Sequence, residues 1–145
     1  MRQKVIRSAL FAGLGMLAVL LSYGAAASAD DKKDKDDLPD IPTIMKRAHT
    51  KTDGYLARIK SSAAAGKWED ASKDAKSLVL AGDALGKNKP PKGDAKSWET
   101  LTKKYSENTM AVQKAVEAKD AKGVDSSVGA IQKSCGECHA AHKPK

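Results

Sequence analysis

Apolar residues recur every three or four positions along four stretches of this chain, and no stretch alternates with the two-residue period of a strand. Ile41, Ile44, Met45, Ala48, Leu56 and Ile59 form the first stripe, which runs to Gly66 with Gly54 weakening its middle. Asp40 is placed to cap it and Pro42 suits its first turn. Trp68, Ala71, Ala75, Leu78, Val79, Gly82 and Leu85 form the second, ending at Gly86. The segment 87–93 carries Pro90, Pro91 and Gly93 and cannot be helical, and Asp94 is poised to cap the third helix. Trp98, Leu101, Tyr105, Val112 and Val116 form the third stripe, closed near Asp120. Val124, Val128, Ile131, Cys135, Cys138 and His142 form the fourth, which puts both cysteines on the core-facing side of the last helix. Four helices with short connections, each apolar on one face, predict an all-α, antiparallel four-helix bundle.

The N-terminal pattern is different. Arg2, Lys4 and Arg7 precede an apolar run from Ala9 to Leu21, and Ala27-Ser28-Ala29 stands after it as a small-residue cleavage site. These three regions predict a signal peptide over 1–29, a mature start at Asp30, and export to the periplasm. The alternative is a retained membrane anchor, but the run is short for a span and is succeeded by acidic residues. Asp30 to Asp40 mixes charges of both signs with a single leucine and reads as a flexible leader. The folded domain is then expected over 41–145.

Composition sharpens the picture once that segment is set aside. The chain of 145 residues is 41% hydrophobic, but nineteen of its apolar residues stand in positions 1 to 29. The remaining domain has four aromatic rings, Tyr55, Trp68, Trp98 and Tyr105, and alanine is the commonest of its apolar residues. So thin a core argues against a β-sandwich and suggests that a buried cofactor completes the interior. The net charge of +8 falls to +5 without Arg2, Lys4 and Arg7. The lysine excess suits a solvated surface better than an acidic partner. No basic run interleaved with aromatics supports nucleic-acid binding.

The chemistry is concentrated in Cys135-Gly136-Glu137-Cys138-His139. Two thiols one helical turn apart match the two vinyl groups of haem, and the adjacent imidazole of His139 can reach the iron as an axial ligand. In an exported chain this spacing on an apolar helix face points to one covalently bound haem c. A disulfide three residues long would constrain almost no chain entropy, and thioredoxin-like redox chemistry would want a βαβ context. A zinc site of Cys135, Cys138, His139 and His142 is opposed by the divergence of neighbouring residues 138 and 139 around the helix.

With this motif at the C-terminus and Ile44-Met45-Lys46 in the first helix, the chain resembles the class II cytochromes c, the group of cytochrome c′ and its low-spin relatives. The resemblance covers Asp40 to Lys143, and its most specific parts are residues 44–46 and 133–143. It implies that the last helix grips the haem, that the first helix covers the far face, and that His139 is the fifth ligand. The position of Met45 carries methionine in six-coordinate members, so the resemblance implies a His139/Met45 iron. Core packing is the other role for a methionine on such a stripe. Met110 lies off the core stripe. His49, one turn beyond Met45, leaves a bis-histidine iron open, while His142 lies on the His139 side and is expected to flank the haem. Two departures stand out: Ile41 occupies a position where many members carry arginine near the propionates, leaving Arg47 and nearby lysines as candidates, and His142-Lys143 replaces an aromatic and an arginine.

The sequence therefore reads as an exported monohaem electron carrier that passes electrons between redox partner proteins, with no catalytic constellation of its own. Dimers are common in the family, and a homodimer stays open. Two alternatives remain: a five-coordinate haem protein that binds nitric oxide or carbon monoxide, and a haem-free Cys-x-x-Cys thiol redox protein.

Overall fold

The structure is a computed structural model that describes residues 38–145. The expected signal peptide over 1–29, and the expected leader up to residue 37, lie outside the described residues. Within them the chain is all helical: α1 (Ile41–His49), α2 (Tyr55–Ala64), α3 (Trp68–Lys87), α4 (Ala95–Glu117) and α5 (Ala121–His142). Among the described residues no helix is long and apolar enough to cross a membrane.

Two helix starts come from local chemistry. The Asp40 carboxylate accepts the Thr43 backbone N–H at 2.9 Å, and Pro42 occupies the first turn of α1. The Asp94 carboxylate accepts the Lys96 N–H at 3.1 Å and opens α4 after the proline-rich connection.

The first stripe does not form one helix. Where the pattern predicts a helix from Ile41 to Gly66, the chain makes two, separated by residues 50–54. The Thr50 hydroxyl donates back to the Lys46 carbonyl at 2.5 Å, and Thr50 itself is extended, with φ −59° and ψ 133°. At Gly54 a Cβ would stand 2.6 Å from both the backbone nitrogen and oxygen of Thr50, so the sharp turn needs glycine there. The described domain therefore has five helices instead of four.

Packing links α2 with α3, α3 with α4, α4 with α5, and α5 with α2, while α1 lies against α2 and α3. The buried residues track the stripes closely: Ile44, Ile59, Leu78, Val112, Val116, Val124, Val128 and Ile131 are almost wholly enclosed. Six of the eighteen buried apolar residues are alanines, Ala48, Ala63, Ala71, Ala75, Ala81 and Ala84. Small side chains let helices approach closely but give little apolar area to bury. Leu78 is fully buried and Leu80, on the same helix, is 70% exposed. Leu78→Ala is expected to cost about 2–5 kcal/mol in denaturant unfolding, and Leu80→Ala to change stability by less than about 0.5 kcal/mol.

Candidate functional site

The stripes close tightly over only part of their length. Where α1, the end of α3, the start of α4 and the last two turns of α5 meet, they surround a predominantly apolar cavity of about 600 Å³. Its walls include Ile41, Met45 and His49 of α1, Leu85 of α3, Trp98, Leu101 and Tyr105 of α4, and Cys135, Cys138, His139 and His142 of α5. Met45, Cys135, Cys138 and His139 therefore line one space, although 90 residues separate the methionine from the first cysteine. Met110 is exposed on α4 and is not part of the lining.

Cys135 and Cys138 are half-buried free thiols, and Cys135 Sγ lies 3.4 Å from the Ile131 carbonyl. Burial pushes both thiols up from their ordinary value, and for Cys138 the neighbouring Cys135 and Glu137 add to the effect. An activated redox thiol requires the opposite, a stabilised thiolate. His139 is more exposed, at the cavity rim.

His142 is 2% exposed and fully engaged. Its Nδ1 lies 2.8 Å from the Lys92 carbonyl and must donate, which leaves Nε2, in the neutral ring, to accept from the Ser97 hydroxyl at 3.2 Å. Its ring meets Trp98 edge-on at 5.2 Å. Neither nitrogen is left to bind a metal, so the residue flanks the cavity and fastens the connection 88–94 to the end of α5. Gly93, at φ +82°, is part of that fastening: a Cβ there would stand 2.8 Å from the Ala141 carbonyl. Trp98 Nε1 donates to the Asn88 carbonyl at 2.8 Å, and the Asn88 amide donates to the carbonyls of Ala84 and Pro39. This set of bonds frames the cavity and joins three distant segments.

On α1, His49 is half-buried and its Nε2 lies 3.0 Å from the Tyr105 hydroxyl. Burial drives the tyrosine far above its ordinary range, with Cys135 as a lesser cause, so its hydroxyl stays protonated and is able to donate to His49 Nε2. Burial, helped by the positive charge of His139, holds His49 below its ordinary 6.5. An unfolded chain then binds a proton at His49 that the folded one resists, so His49 lowers stability as pH falls below about 6.5 and costs nothing above it. His49→Gln, which keeps an acceptor for Tyr105, is expected to flatten the stability curve between about pH 7 and pH 5, as measured by denaturant unfolding.

The charged residues at the cavity are Asp40, Lys104 and Lys143. Lys104 also reaches Glu137 at 3.4 Å. Arg47 is exposed and lines no part of the cavity, and Ile41 contributes apolar wall. Of the basic residues, Lys104 and Lys143 are therefore the ones placed to meet an acidic edge of a ligand. Tyr105 appears in the sequence only as a core aromatic; its pairing with His49, 56 residues away, leaves no local signal.

The cavity suits a flat apolar macrocycle on three counts. Its volume falls within the range of ligand pockets, its walls are aliphatic and aromatic, and its donors are two thiols and an imidazole on one helix with a thioether on another. Among the described residues no three His, Cys, Asp or Glu side chains converge on one point. In comparisons with known proteins, no family model, no curated sequence and no solved structure matches the chain.

Proposed function

We propose that this chain is an exported monohaem c-type cytochrome of the class II kind, an electron carrier with a six-coordinate His139/Met45 iron. The observation that carries the reading is the gathering of Cys135, Cys138 and His139 from α5 and Met45 from α1 around one apolar cavity. In this reading the domain is an antiparallel four-helix bundle in which α1 and α2 together fill the place of the first helix. The break at residues 50–54 separates α2 from α1, whose Ile41, Met45 and His49 line the cavity.

Each residue has a defined task. Cys135 and Cys138 would hold the group covalently as thioethers, the product of S–H addition across its two vinyl groups. His139 and Met45 would be the ligands to its iron. Bound haem supplies a one-electron Fe(III)/Fe(II) couple, with a thioether ligand raising its potential. Leu85, Trp98 and Leu101 would keep water from the group, and Lys104 and Lys143, which line the cavity, would be the cations available to its propionates. No substrate is transformed, and the partners are redox proteins.

A haem stain after denaturing electrophoresis tests the reading, because only covalent attachment survives the gel. Protein made in a host that exports and haem-loads c-type cytochromes should stain at the mature mass. An unstained band from that host would overturn the proposal.

A further inference from the structure

α1 offers the cavity two groups able to bind iron, Met45 and His49, one helical turn apart and both half-buried in its lining. Spacing alone does not choose between them, and imidazole is a good ligand for haem iron. The choice is made on α4. Tyr105 is 8% exposed, and its hydroxyl lies 3.0 Å from His49 Nε2, with the two ring centroids 5.7 Å apart. Nε2 is the nitrogen at the far end of the imidazole, the one most able to extend to a metal from a helix.

We propose that Tyr105 is a positioning residue that selects the axial ligand: by donating to His49 Nε2 it withdraws that nitrogen from the iron and leaves the position to Met45. The proposal rests on the His139/Met45 reading. Ligation by His49 would require breaking the bond to Tyr105 and leaving a buried phenol unpartnered, whereas ligation by Met45 leaves the pair intact. The bond also fixes the tautomer, since a ring that accepts at Nε2 carries its proton on Nδ1. His49 is thereby held in the cavity as a neutral group against Tyr105.

The test compares the haem-loaded wild type, Tyr105→Phe and Tyr105→Phe/His49→Ala by ferric absorption and electron paramagnetic resonance. Wild type should show the methionine-to-iron charge-transfer band. Tyr105→Phe keeps the ring but frees Nε2, and it should swing the ligand balance toward His49 by about tenfold or more, replacing the methionine signature with a bis-nitrogen one. Removing His49 as well should restore the methionine signature. Nitrogen chemical shifts of the reduced wild type should place the His49 proton on Nδ1. An unchanged methionine signature in Tyr105→Phe, a double variant that fails to recover it, or a proton on Nε2 would each overturn the proposal while the cytochrome reading stands. A wild type that carries haem but shows no methionine band would instead sink the Met45 assignment, and the proposal with it.

Discussion

Cys135→Ala/Cys138→Ala is expected to lose its covalent haem and, with it, cooperative unfolding. The reason lies in the distribution of apolar mass. The helices pack through six buried alanines and twelve larger apolar residues, of which Leu85 and the two buried rings, Trp98 and Tyr105, face the cavity. A dry void of about 600 Å³ held open would cost on the order of 14 kcal/mol at about 24 cal/mol per Å³. That is comparable to the whole stability of an ordinary domain, about 5–15 kcal/mol. The chain avoids the cost by admitting water or collapsing, and either route loosens the set of Trp98, Asn88 and His142 that frames the space. The variant should keep much of its far-ultraviolet helix signal, lose near-ultraviolet ellipticity, bind a hydrophobic dye and melt over a broad range. Native-like, sharp unfolding of the haem-free variant would show that the alanine-rich core is sufficient alone.

The second large effect is expected at Met45. Met45→Ala removes the only thioether among the described residues that lines the cavity, so the iron should become open on that side, and the reduced variant should bind carbon monoxide rapidly where the wild type does not. The methionine-to-iron charge-transfer band should vanish. The potential should fall by about 0.1 V or more, a modest part of the roughly 0.8 V range that axial ligands command. Combining it with His49→Ala separates an open position from capture by His49, because only the single variant retains that imidazole. If Met45→Ala keeps the wild-type spectrum and gas reactivity, Met45 is packing and nothing more.

Much of the fold is visible in the sequence because it is set locally. The caps at Asp40 and Asp94 and the buried stripe of α5 arise from residue types and a period near 3.6. The break after His49 is harder to read, since the stripe continues in phase across it. What decides the matter is a backbone approach of Gly54 to Thr50 that no hydrophobic pattern encodes. At the site, the Cys-x-x-Cys-His spacing carries its own chemistry, and the structure brings Met45 to the same cavity from another helix. The His49–Tyr105 and His142–Lys92 bonds join residues 56 and 50 positions apart. Pairings of that kind arise only when helices are packed. Spacing on α5 can therefore set His142 beside the site, but its role as a fully bonded strut emerges only in the fold.

The most direct test of the central claim is the visible absorption spectrum of the purified, exported protein in its oxidised and reduced states. The account predicts a low-spin c-type haem spectrum in both, a methionine-to-iron band in the oxidised form, and no change when carbon monoxide is added to the reduced form. A protein with no visible absorption would contradict the haem assignment, and a high-spin spectrum that responds at once to carbon monoxide would contradict the electron-carrier reading.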